Sequence, residues 1–305
     1  MKIYLNRANE SWIVDRFADE WIDYHPKETT VNIKESEIIW LIAPWVWKKT
    51  PKRYLKNKFV LCTIHHIDFE KFDKNEEKNF YSRDKFVNVY HSISKNTTKQ
   101  LRTLTKKEIV TIPFWANQNI FYENKDKNVI REKYGINNDA FLLGSFQRDT
   151  EGRDLISPKL SKGPDQFIEI VKYYKTLNNN LLVLLTGKRR NYVLEELKKI
   201  NIPSLYLEMV SSKELNELYN ILNLYIVASR VEGGPQAILE CALTKTPIIS
   251  TDVGIASEIL DKKSIFNMTN FQEAQPQIEI AYHNVKKFEI PKGFEKFNAF
   301  FEGIR

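Results

Sequence analysis

Residues 230–241 read Arg-Val-Glu-Gly-Gly-Pro-Gln-Ala-Ile-Leu-Glu-Cys. The stretch opens as a turn and closes as an apolar helix, and inside that helix sits a carboxylate, Glu240, among Ala237, Ile238, Leu239, Cys241, Ala242 and Leu243. A buried ionised carboxylate is costly unless it finds donors or is neutralised. Just upstream, Leu222–Ala228 is apolar except for Asn223 and reads as a buried strand. Proline suits a first helical position, because its missing N–H would have no partner inside the helix. The glycines permit a tight turn and a close backbone approach. Free N–H groups and the helix dipole at such a turn favour an anion such as phosphate. At 3.6 residues per turn, Glu240 lies about one and a half turns into the helix. There it can accept hydrogen bonds from paired hydroxyls, as in a ribose diol. Taken alone, the stretch fits equally a glycine turn capping an ordinary helix, with Glu240 facing solvent or a lysine.

The same strand–turn–helix grammar runs along most of the chain. Strands are expected at Lys2–Asn6, Glu37–Ile42, Phe59–His65, Phe86–Ser92 and Glu108–Ile112, then at Phe141–Phe146, Leu181–Thr186, Ser204–Leu207, Leu222–Ala228, Pro247–Thr251 and Ser264–Phe266. Helical patterns fall between many of them, as in Pro164–Lys175, Tyr192–Ile200, Lys213–Tyr219 and Pro235–Leu243. Apolar strands alternating with helices argue for parallel sheets covered on both faces. A charged, lysine-rich stretch over 121–136 separates two such blocks. The expectation is therefore an α/β chain of two Rossmann-like domains, with parallel sheets facing across a cleft. The boundaries are 1–122 and 123–288, followed by a terminal helix at 289–305. That helix places Phe294, Phe297 and Phe301 on one stripe, a spacing typical of a docking face, here expected to pack back on the first domain.

Composition narrows the class. The 305 residues carry a net charge of +7, which suits anionic partners or merely a lysine-rich surface. The most apolar run, Ile38–Trp47, has 10 residues, against roughly 20 needed to span a bilayer. The opening MKIYLNRANESW turns polar after Leu5 and does not read as a signal peptide. Cys62 and Cys241 sit in apolar segments and read as reduced core residues of a cytoplasmic protein. His65 and His66 make a poor zinc site, since neighbouring strand residues point to opposite faces. No Asp-x-Asp pair occurs, and no metal or cofactor is expected.

Two glutamates, Glu232 and Glu240, stand with seven residues between them. With the Ser161-Lys162-Gly163-Pro164-Asp165 step upstream and Thr251-Asp252-Val253-Gly254 to Glu258 downstream, this half of the chain resembles the retaining glycosyltransferases of family 4, which have the GT-B fold. The resemblance implies transfer of a sugar from a nucleotide-diphosphate sugar to an acceptor hydroxyl with retention, as in surface polysaccharide or glycolipid synthesis. It implies that Glu232 contacts the donor sugar, that Glu240 holds the ribose hydroxyls, and that the backbone of Gly233 and Gly234 meets phosphate or sugar. Lys162 matches the family's diphosphate-neutralising lysine. Arg148 in GSFQRD is the candidate for its arginine, with Arg153 and Lys159 as alternatives. VLCTIHHIDFE resembles the family's strand that ends in a histidine near the donor sugar, which points to His65, with His66 second. The first strand departs from the family pattern: it leads to Asn6-Arg7-Ala8-Asn9 where a glycine-rich loop is common. Ile255 also replaces the second glycine of the downstream turn.

Residues 38–58 add three tryptophans followed by a run of basic residues. Tryptophan beside lysine and arginine is a membrane-interface pattern. Trp45, Trp47, Lys48, Lys49 and Arg53 are thus candidates for peripheral contact with an anionic membrane at the inner face of the cell, near a glycan or lipid-linked acceptor. A buried strand with a solvated lysine tail is the plainer alternative. Nucleic acid is not expected as a partner. The competing functions are a sugar-nucleotide epimerase or phosphorylase-like enzyme on the same fold, or a non-catalytic binding module.

Overall fold

The computed structural model describes residues 1–10 and 13–304, and the chain divides into two compact units, Met1–Phe114 with Pro291 onward, and Trp115–Ile290. In the first unit, β1 (Ile3–Leu5), β2 (Ile38–Leu41), β3 (Phe59–Ile64), β4 (Val89–Ser92) and β5 (Glu108–Thr111) form a parallel sheet in the order β1-β2-β3-β4-β5. Alternation along β2 sends successive side chains to opposite faces. Ile39 and Leu41 join a cluster with Trp47, Leu55, Phe80 and Leu101. Trp40 points the other way, edge-on to Trp21 at 5.3 Å and tilted against Phe297 at 5.3 Å. Phe294, Phe297 and Phe301 are all buried, and their rings meet Trp21. The stripe on helix Glu295–Gly303 is thus a docking face within the first unit.

In the second unit, β6 (Phe141–Ser145), β7 (Leu181–Thr186), β8 (Ser204–Leu207), β9 (Leu224–Val227), β10 (Ile248–Thr251) and β11 (Ile265–Phe266) give six parallel strands in the order β11-β10-β9-β6-β7-β8. From β6 the chain winds outward through β7 and β8, then returns to the other side of β6 as β9. The sheet therefore has a topological switch point between β6 and β9. In open parallel sheets, ligands bind in the crevice beyond the carboxyl ends of strands at such a point.

Two expectations need correction. The units part at Phe114–Trp115, not after 122. Phe114 stacks on Phe17 at 4.0 Å in the first unit, whereas the Ala116 N–H donates to the Phe288 carbonyl at 2.8 Å in the second. The charged stretch 121–136 is no linker: Phe121 is buried, and the N–H groups of Tyr122 and Asn124 are held by the side chains of Asn216 and Asn220. Second, Trp47 leaves the proposed membrane face. It is 3% exposed, with its indole N–H donating to Asn79 at 3.1 Å. Trp45, Lys48, Lys49 and Arg53 remain exposed. Cys62 and Cys241 are both free and buried. Among the described residues, no helix is long and apolar enough to cross a membrane, and no group of three His, Cys, Asp or Glu side chains could hold a metal.

Candidate functional site

The switch point gathers the carboxyl-end loops of β6 and β9 with the turn that leads into helix Pro164–Leu177. That turn depends on Gly163, which has a φ of +60° and whose added Cβ would stand 1.7 Å from the Ala228 carbonyl oxygen. Only glycine lets the 160–163 turn lie this close to the end of β9. The N–H groups of Arg230 and Val231 donate to the Ser161 carbonyl at 2.9 and 3.0 Å, and Arg230 forks onto Asp165 at 2.7 and 2.6 Å. A second glycine contact closes the other side. Gly254 has a φ of +55°, and a Cβ there would lie 2.3 Å from the Gly233 carbonyl oxygen. The turn after β10 is thereby pressed against the Gly233-Gly234 turn. Ile255, where the family pattern has a second glycine, has a negative φ and is buried, so the local backbone does not require glycine.

This scaffold brings Lys162 and Glu232 into an ion pair, both largely buried. Ser229 lies beside them, its hydroxyl 3.4 Å from the Glu232 carboxylate and 3.2 Å from the Gln147 side-chain oxygen. Gln147, in the loop after β6, donates through its Nε2 to the Lys162 carbonyl at 3.0 Å. Helix Gln236–Thr244 begins one residue later than expected, with Pro235 as its cap. Glu240 is 5% exposed. Its position among apolar neighbours is explained in part by Tyr219, whose hydroxyl donates to Oε2 at 2.8 Å. Burial, and then the Glu240 charge, push the Tyr219 pKa well above its ordinary value, so this phenol stays a donor.

Arg148 directly follows Gln147 and is half-buried; burial and the like charge of Arg189 both work against its protonated form. Of its alternatives, Arg153 is exposed within a small hairpin closed by the Thr150–Pro158 bridge, and Lys159 is half-buried at the end of that hairpin. Beneath the loop lies a charged pair that sequence reading did not find. Arg190 and Asp149, 1% and 3% exposed, meet at 3.0 Å. Burial pushes the Asp149 carboxyl up to about 6, against the pull of Arg190. The Arg190 guanidinium also donates to the Gln147 carbonyl. No spacing rule points to these residues. They meet because the β6 and β7 loops are neighbours in the sheet.

His65 belongs to the first unit, directly after β3. Its Nε2 lies 2.8 Å from the Ile42 carbonyl, and its ring is near Trp45 and Phe114. Burial lowers its pKa to about 4. The ring is neutral near pH 7, so Nε2–H donates to the carbonyl and Nδ1 carries the lone pair. His66 is exposed.

Residues 156–289 match the family model described as glycosyl transferases group 1. That segment contains Lys162, Gly163, Ser229, Glu232, the paired glycines, Glu240 and Gly254. A probable sucrose-phosphate synthase of Thermosipho melanesiensis is 25% identical over 238 residues, 73% of this chain and 49% of that protein. The chain therefore spans about half the length of that relative. Among solved structures, Anabaena HepE in complex with UDP and glucose superposes with a TM-score of 0.78 at 12% identity, covering 99% of this chain and 100% of the other. Sucrose-phosphate synthase from Thermosynechococcus elongatus gives 0.72 at 15% identity, over 95% and 78% of the two chains. A glycosyltransferase from Rickettsia africae gives 0.66 at 17% identity, over 98% and 83%. The fold is the GT-B fold, with two parallel sheets.

Proposed function

We propose that this protein is a glycosyltransferase that takes a sugar from a nucleotide-diphosphate donor bound at the β6–β9 switch point. The observation that carries this reading is the Lys162–Glu232 pair, set at the carboxyl end of β9 between two glycine-dependent turns, with Glu240 one helix turn beyond. A diphosphate needs cations and N–H donors, supplied here by Lys162, Arg148 and the start of helix Gln236–Thr244. Sugar and ribose hydroxyls need acceptors, supplied by Glu232 and Glu240. Charge that grows on the departing diphosphate in the transition state is stabilised by the same fixed donors. The complexes of HepE with UDP and UDP-glucose support a uridine donor as the first to try. Retention at the anomeric carbon and a glycan or lipid-linked acceptor complete the proposal. Trp45, Lys48, Lys49 and Arg53 form a face suited to an anionic lipid surface.

The test is a thermal-shift screen with UDP, GDP and ADP. A ligand at 100 times its Kd adds about 2.7 kcal/mol of stability. Stabilisation by one of them, followed by sugar transfer that survives EDTA, is the expected result. Stabilisation by none removes the donor site. Transfer abolished by EDTA and restored by manganese removes the metal-independent form of the proposal. Vesicle binding that is unchanged when Lys48, Lys49 and Arg53 become glutamate removes the membrane face.

A further inference from the structure

We infer that Gln147 is a positioning residue that sets the geometry of the Lys162–Glu232 pair, an inference that rests on the donor-site reading above. Its backbone is fixed from below, because the buried Arg190, ion-paired to Asp149, donates to its carbonyl. Its side chain then spans from the β6 loop to both other parts of the site. Nε2–H donates to the Lys162 carbonyl, and Oε1 faces the Ser229 hydroxyl. The amide orientation is determined: turned over, Oε1 would face the Lys162 carbonyl, acceptor against acceptor.

The Ser229 hydroxyl has one proton and two acceptors within reach, Gln147 Oε1 at 3.2 Å and Glu232 Oε1 at 3.4 Å. Ser229 is fully buried, so this proton has no recourse to bulk water. With Gln147 as its acceptor, Ser229 leaves Glu232 free to turn its oxygens toward a sugar hydroxyl. Without Gln147, the proton goes to Glu232 and holds the carboxylate back. At the same time the 160–163 turn loses the bond that seats Lys162. Gln147 touches neither reacting atom in this scheme. It acts through Lys162, Ser229 and Glu232.

The experiment compares wild type, Gln147→Met, Glu232→Gln and the double variant, using calorimetry with UDP and UDP-glucose and the rate of UDP release from UDP-glucose. Methionine keeps the unbranched length and removes both polar contacts. The expected result is that Gln147→Met lowers UDP-glucose affinity or turnover about tenfold, on the scale of one to two hydrogen bonds. In the Glu232→Gln background, the same change should have a clearly smaller effect than in wild type, because the part of its route that runs through Ser229 and Glu232 is gone. A merely structural role would leave the two effects multiplicative. Wild-type behaviour of Gln147→Met, or full additivity in the double variant, overturns the inference while the donor reading stands. Should Gln147→Met fail to fold, Gln147→Leu, which also removes both polar contacts, replaces it, with the same loss of coupling to Glu232 expected and additivity again overturning the inference. If wild type binds neither UDP nor UDP-glucose, both the uridine donor reading and this inference fall.

Discussion

Tyr219 donates a hydrogen bond to Glu240, and Lys162 forms an ion pair with Glu232; each glutamate thus has a partner outside the two-glutamate motif. Tyr219→Phe removes one donor from a buried carboxylate. The expected cost is about 1–2 kcal/mol in stability, read as a shift in the urea midpoint, together with weaker nucleotide binding. The Lys162–Glu232 pair has a further consequence. Glu232 engages the cation that a diphosphate would use. Glu232→Gln should therefore tighten binding of bare UDP, by about three- to tenfold if the pair is worth about 1 kcal/mol, while sugar transfer slows. Calorimetry with UDP checks this; equal or weaker binding by the variant would show that Lys162 does not serve the diphosphate. Glu232, Glu240 and Lys162 were singled out in the sequence by the family resemblance. Gln147, Ser229, Tyr219 and Arg190 were not, because single polar residues in loops and apolar helices carry no periodic signal.

At the scale of elements, the site rests on two close backbone approaches, the 160–163 turn on the end of β9 and the turn after β10 on Gly233-Gly234, and glycine decides both. Gly163→Ala would place a Cβ 1.7 Å from the Ala228 carbonyl oxygen at a φ of +60°. The turn must move, at an expected cost of about 2–4 kcal/mol and with loss of nucleotide binding. Gly135 is the control: its φ is +64°, yet nothing lies within 4 Å of an added Cβ. Gly135→Ala should cost only about 1–2 kcal/mol, for backbone strain alone. Chemical denaturation of the two variants separates clash from strain. The strands themselves were readable to within a few residues, since buried parallel strands are continuous apolar runs. The function of the 121–136 stretch was misread, because a lysine-rich composition resembles a linker even where asparagine side chains anchor its backbone.

Across the whole molecule, acid should unfold the protein through its buried histidines. His91 is fully buried. Its Nε2 lies 2.7 Å from the Ile112 carbonyl, and its Nδ1 lies 2.9 Å from the Thr63 hydroxyl, which in turn accepts from Trp40 at 2.8 Å. Burial lowers its pKa to about 3, and that of His65 to about 4. Both folded values are below the ordinary value of 6.5, so the unfolded chain takes up protons that the folded chain refuses. Their stabilising contribution is present above about pH 6.5 and is lost as pH falls toward 4 and then 3, at up to about 1.4 kcal/mol per pH unit for each ring. Asp149, raised to about 6, works in the opposite sense between about 6 and its ordinary 3.8. Urea unfolding from pH 7 to pH 4 should therefore show a stability gap between wild type and His91→Gln that narrows as pH falls. A constant gap would show that His91 carries no proton linkage.

The sequence by itself determined the α/β class, the parallel strands and the placement of the motif helix. These follow from local facts: apolar runs set strands, glycine and proline set turns, and motif spacing is preserved along the chain. Only the tertiary structure decided where the units part, which tryptophans are core, and that Gln147, Ser229 and the Arg190–Asp149 pair stand behind the motif. These depend on strand order. β6 and β9 are neighbours because the chain reverses its winding after β8, and that brings together residues about eighty positions apart, beyond the reach of any sequence period.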